Sequence, residues 1–114
     1  MTALPPQPFI PVGATISQHV EAAFQAFGAS CLSDREAEVA RLILRGHSSK
    51  VIARMMGNSP ETVKVYRKRL HTKLGLGSTG ELFTLFMAAL CAAPQGGSGD
   101  PLTYLSMGAM PADL

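Results

Sequence analysis

Apolar residues return every three to four positions along most of the chain, which is the spacing that lines one face of a helix, and no stretch reads as a credible strand. From Thr15 the residues Ile16, Val20, Phe24 and Phe27 form one such stripe, and Gly28 supplies a stop. A second helix is predicted from Leu32 to Arg45. Ser33 followed by Glu36 three residues on makes a capping box, Val39, Leu42 and Ile43 give an inward face, and Gly46 ends it. Ser48 or Ser49 then caps a short third helix through Met56, with Val51, Ile52, Met55 and Met56 as its apolar positions. Gly57 and Asn58 turn the chain. Ser59 and Pro60 open a longer helix as N-cap and first-turn proline, and it runs to about Leu74, where Gly75 closes it. After a turn through Gly77, Ser78, Thr79 and Gly80, a last helix is expected from about Glu81 to Leu90. The predicted class is all-α.

The flanks differ from this pattern. Residues 1–14 carry Pro5, Pro6, Pro8 and Pro11 and read as an extended arm, because proline fixes φ and removes a donor. Residues 94–114 begin PQGGSGDP, contain no basic residue and read as a disordered tail. Between them lie an amphipathic helix, 15–28, and a domain, 32–91. The proline-rich start has no apolar core of a secretory signal. The most apolar run, Leu82 to Ala93, is shorter than the roughly 20 residues a bilayer span needs. These features predict a cytoplasmic protein with no membrane partner.

Net charge is a modest +2, but its distribution is lopsided. All ten basic residues fall between Arg35 and Lys73, and from Arg41 to Lys73 nine of them face the single acid Glu61. A segment of nearly one sign lacks the opposite charges that an ordinary solvated helix uses, so a polyanion is the expected partner. Other chemistry finds little support. Cys31 and Cys91 form no CxxC pair and read as reduced thiols, and with His47 and His71 they lack the short spacing of a zinc site, so neither metal nor cofactor is expected. No Ser/His/Asp set, carboxylate pair or phosphate-cradling loop appears, and His19, His47 and His71 are scattered, which argues against an enzyme. His71 is expected at the surface.

A short helix, a tight turn at Gly57 and Asn58, and a longer basic helix make the arrangement of a helix-turn-helix, whose second helix enters the major groove of duplex DNA. Spacing separates the faces of that helix. Val63, Leu70 and Leu74, with Tyr66 alongside, share an inward stripe. Glu61, Lys64, Val65, Lys68 and Thr72 share the opposite one, where lysines meet base acceptors and valine methyls meet thymine. Arg67, Arg69 and Lys73 flank that stripe and are expected at phosphates, together with the hydroxyls of Ser59 and Thr62 at the helix start.

The run LSDREAEVARLILRGHSSKVIARMMGNSPETVKVYRKRLHTKLGL resembles the LuxR/NarL/GerE type of bacterial helix-turn-helix. Leu32, Ser33, Arg35, Glu36, Val39, Gly46, Ser48, Lys50, Ile52, Ala53, Ser59, Thr62, Val63, Lys64, Lys73, Leu74 and Gly75 fall in register with its pattern, over about half of the chain. The resemblance implies a tetrahelical domain that binds promoters as a dimer. It also implies base contacts from the positions of Lys64, Val65 and Lys68, backbone contacts near Ser48, Lys50, Thr62 and Lys73, and a last helix that helps pair two protomers. Two positions depart from the pattern. Tyr66 stands where family members usually have a histidine and is itself expected among the DNA backbone contacts, and Thr79 and Gly80 stand where an arginine is common. Only 31 residues precede Leu32, too few for a receiver or ligand-binding domain. The sequence therefore reads either as a stand-alone regulator or as a piece of a longer protein.

The last helix carries two apolar stripes, Leu82, Leu85, Phe86 and Ala89 on one and Phe83, Met87 and Leu90 on the other. One enters the domain core; the other needs a second partner. Ile16, Val20 and Phe24 of the first helix supply it within the chain, or the two helices build a homodimer that spaces two reading helices about 34 Å apart. The rival reading is a protein-interaction module derived from a helix-turn-helix, binding RNA polymerase or another regulator through these apolar surfaces.

Overall fold

The computed structural model describes residues 18–94, 97 and 99–105, and every regular element among them is helical. Helix α1 covers 18–26, α2 Asp34–Leu44, α3 Ser49–Met56, α4 Pro60–Leu74, α5 Thr79–Ala92, and α6 is a single turn, Leu102–Tyr104. The proline-rich arm, Ile16 and the predicted start of the first helix lie outside the described residues.

Capping chemistry sets the boundaries. The Ser33 hydroxyl accepts from the Glu36 amide at 3.2 Å while the Glu36 carboxylate accepts from the Ser33 amide at 3.0 Å, so both halves of the capping box form. Ser48, rather than Ser49, caps α3 by accepting from the Val51 amide. The ends of α3 and α4 close alike. Gly57 and Gly75 adopt φ of 70° and 71°, and the amides of Asn58 and Leu76 donate back to Ala53 and His71, each at 2.8 Å, in Schellman geometry. The turn at Gly57 is what aims α4 away from α3.

Helix α5 begins two residues before the expected Glu81 and ends two after Leu90. Ser78 accepts from the Glu81 amide at 3.2 Å, and Glu81 takes the Gly77 amide at 2.8 Å. Ser78 to Glu81 is thus a helix start, although its glycines read as a turn.

Val39, Ala40 and Ile43 of α2, Ile52 and Ala53 of α3, Val63 and Leu70 of α4, and Leu82 and Phe86 of α5 bury into one core. Val63, Leu70, Ile52 and Leu82 are fully buried; each side chain of this size contributes about 1.5–3 kcal/mol. Helix α1 closes the far side. Phe24 stacks on Phe86 at 4.8 Å between centroids, and Phe27 meets the same ring edge-on at 5.4 Å. The Arg45 guanidinium lies 4.5 Å over Phe24 and pairs with Glu21 at 2.6 Å.

The segment from 94 onward, expected to be a disordered tail, is ordered over 99–105. Buried Asp100 accepts from the amide and hydroxyl of Ser30 at 2.9 and 2.7 Å through one oxygen, and from the Leu102 amide at 2.9 Å through the other. Pro101 is fully buried. An Asp-Pro pair ahead of an apolar residue is a local turn signal that the surrounding glycines conceal. The rest of the expected tail, 106–114, lies outside the described residues.

Candidate nucleic-acid interface

Helix α4 is held on one side and bare on the other. At its start the Ser59 hydroxyl accepts from the Thr62 amide at 3.1 Å and lies 3.0 Å from the Thr62 hydroxyl, so both side chains serve the cap while staying at the rim. At about 100° per residue, Lys68, Thr72 and Val65 leave the helix roughly opposite Val63 and Leu70, with Lys64 beside them at about 100° from Val63. Lys64, Val65 and Lys68 are exposed, Val65 at 46%. Lys64, Lys68, Arg69 and, on α3, Lys50 have no hydrogen bond or ion pair among the described residues. The expected base-reading residues therefore share one open, cationic face.

Three of the expected backbone contacts are placed otherwise. Arg67 is half-buried, its Nη1 donating to the Ser49 hydroxyl at 2.5 Å and its Nη2 to the Thr79 hydroxyl at 3.0 Å. The reason is angular: Arg67 projects only about 40° from Val63, on the core side of the helix. Lys73 pairs at 2.7 Å with Glu36, whose carboxylate is buried at the capping box of α2. The Lys73 ammonium and the Ser33 amide together hold that carboxyl below its usual range. Tyr66 is half-buried against the core, in keeping with its inward stripe. Ser48 is exposed and engaged as a cap.

His71, expected at the surface, is half-buried with an Nε2 that has no hydrogen-bond partner among the described residues. Burial and then the Arg67 charge hold its imidazole below the usual pKa, with Glu81 acting against them. The roles of Ser49 and Thr79 as acceptors for Arg67 escaped the sequence reading. The hydroxyls at 49 and 79 are the signal, but only the fold brings them within reach of one guanidinium.

On the other side of the domain, Phe24, expected on a dimer or partner surface, is covered within the chain by Phe86 and Arg45. Leu90 is half-buried against the core, and its carbonyl lies 3.2 Å from His19 Nε2. Val20 is half-buried. Phe83 and Met87 remain exposed, at 39% and 53%. No group of three or more potential metal ligands, and no single helix long and apolar enough to cross a membrane, occurs among the described residues. Both cysteines are free.

The model of the luxR family of bacterial regulatory proteins matches residues 30–86. The chain belongs to this family. The match runs from the turn before α2 into the middle of α5, so it takes in the whole of the α3–turn–α4 unit and leaves out α1 and α6. Among relatives of this luxR-family chain, an HTH-type transcriptional regulator from the exeN 3′ region of Aeromonas salmonicida is 42% identical over 86 residues, 75% of this chain and 44% of that protein. The transcriptional regulatory protein TdiR of Thauera aromatica is 46% identical over 56 residues, 49% of this chain and 25% of that protein. FixJ of Bradyrhizobium diazoefficiens is 43% identical over 58 residues, 51% and 28% respectively. The chain thus spans less than half the length of these relatives. No solved structure matches it. Membership makes this a helix-turn-helix protein of a family of bacterial regulators of transcription.

Proposed function

We propose that the protein binds duplex DNA sequence-specifically and regulates bacterial transcription, with α4 in the major groove. The observation that carries this reading is the open face of α4. Lys64, Val65 and Lys68 stand exposed, the two lysines unpaired among the described residues, while Val63 and Leu70 at the back of the same helix are fully buried. A helix fixed by its back and cationic in front is what a groove about 12 Å wide accepts. Lys64 and Lys68 read guanine acceptors and Val65 a thymine methyl. Lys50, Arg69 and the hydroxyls of Ser48, Ser59 and Thr62 meet phosphates at the edges. DNA of this kind places the protein in the cytoplasm.

A homodimer extends the site. Phe83 and Met87 are the large exposed apolar residues of α5, on the stripe that neighbours Leu82 and Phe86. Pairing through α5 gives two reading helices one helical turn apart. The competing reading, a module that holds RNA polymerase or another regulator on this apolar face, makes the cations of α4 superfluous.

Selection from a pool of random duplexes at two salt concentrations, followed by sequencing, tests the proposal. The expected result is enrichment of a roughly palindromic motif, with binding that falls steeply as salt rises through release of counterions. No retention at low salt would overturn it in favour of the protein-binding module.

A further inference from the structure

We infer that Arg67 is a positioning residue that sets the seat of α4 between α3 and α5, and through it the discrimination between base sequences. The inference rests on the proposed major-groove reading by Lys64, Val65 and Lys68. Ser49 and Thr79, the two acceptors of the Arg67 fork, are the first residues of α3 and α5. One planar guanidinium therefore joins the middle of α4 to the starts of both neighbouring helices.

Three features favour positioning over a phosphate contact. The side chain leaves α4 about 40° from buried Val63, about 60° from Lys64 and about 100° from Lys68, so it lies along the core edge, beside the reading face and not on it. It is half-buried, unlike Lys64, Lys68 and Arg69. Both partners are neutral hydroxyls at helix N-termini, where the helix dipole disfavours a cation. Attraction between charges does not bring Arg67 there; the geometry of the fork does. Lysine, a single point charge with no planar fork, does not span the two hydroxyls. The departure of Thr79 from the arginine common at that position acquires a role as well: its hydroxyl receives a cation that arrives from α4.

The test compares wild type, Arg67→Lys, and the double variant Ser49→Ala with Thr79→Val, which leaves Arg67 in place. For each, thermal melting, the affinity ratio between the selected motif and random duplex, and the slope of affinity against salt are measured. Arg67→Lys is expected to melt within a few degrees of wild type and to keep the salt slope, while losing roughly ten-fold in the motif-to-random ratio. The double variant is expected to lose the same ratio with its full charge intact. A phosphate contact gives the opposite pattern: Arg67→Lys and the double variant behave as wild type, and Arg67→Ala lowers the salt slope by about one. That pattern overturns the inference alone. A wild-type protein that enriches no motif overturns the DNA reading and this assignment with it. Should Arg67→Lys fold poorly, the double variant decides.

Discussion

The cations of α4 fall into two groups that charge alone does not distinguish and the fold does. Lys64 and Lys68 stand exposed with no hydrogen bond or ion pair among the described residues, whereas Arg67 and Lys73, on the same helix, reach back to Ser49, Thr79 and Glu36. The difference shows that a run of basic residues overstates what a polyanion meets. Arg45, within the same nearly one-sign segment, is likewise taken up by Glu21 and the Phe24 ring. Among the described residues, Arg41, Lys50, Arg54, Lys64, Lys68 and Arg69 remain unpaired, and they form the electrostatic surface. Arg45, Arg67 and Lys73 join the helices that carry it, and Arg35 pairs with Glu38 within α2.

Removing what both groups share has the largest expected effect. Leu70 is fully buried under α4, and Leu70→Ala is expected to cost about 2–5 kcal/mol in stability, read by urea unfolding. A cost under 1 kcal/mol would mean that α4 is not seated on this core. Next come the free cations. Lys64→Ala and Lys68→Ala are each expected to lose about 1–3 kcal/mol of base preference with an unchanged melting temperature. Equal losses on motif and random DNA would move both residues to the phosphates.

The tied cation Lys73 is expected to behave in the reverse sense. Lys73→Ala and Glu36→Gln lower stability by about 1 kcal/mol, the scale of a helix cap, and leave the motif-to-random ratio where it was. Glu36 adds a pH signature. Its folded pKa lies below the ordinary 4.5, so its stabilisation is complete above that value and is lost as pH falls through the lowered folded pKa. Acid unfolding of Glu36→Gln should therefore be shallower than that of wild type. Identical acid limbs would show that the pair contributes nothing to folding.

Much of this was legible beforehand, for definite reasons. Helix order, the capping box at Ser33 and Glu36, and the closure of α3 and α4 at Gly57 and Gly75 are local signals, carried by residues a few positions apart. The inward set of Val63 and Leu70 follows from helical period alone, and so does the outward set of Lys64, Val65 and Lys68. What escaped depends on residues far apart in sequence. The helical period puts Arg67 near the core edge, but its partners and that of Lys73 lie on other helices, 12 to 37 positions away, and no local signal names them. Phe24 suited either an intramolecular or an intermolecular partner until Phe86 was seen beneath it. Asp100 reaches Ser30 across 70 positions, within a stretch whose composition argued for disorder.

The smallest expected effect concerns the neighbour of a tied cation. His71 lies one turn beyond Arg67, and burial, reinforced by the Arg67 charge, keeps its ring neutral below the ordinary 6.5. The unfolded chain takes up a proton near that ordinary value while the folded chain does not. Stability is therefore flat above it and declines as pH falls from about 6.5 toward the lowered folded pKa. His71→Phe keeps the apolar contact, removes the unpartnered Nε2 and should abolish the decline between pH 7.5 and 5.5, well above the range in which Glu36 titrates. An equal decline in the variant would place the titrating group elsewhere. Replacing Arg67 by leucine should narrow the His71 window without closing it, because burial is the larger cause. Two neutral hydroxyls hold the Arg67 guanidinium without cancelling its charge, so this cation still acts on the ring beside it, whereas the charge of Lys73 is answered by Glu36.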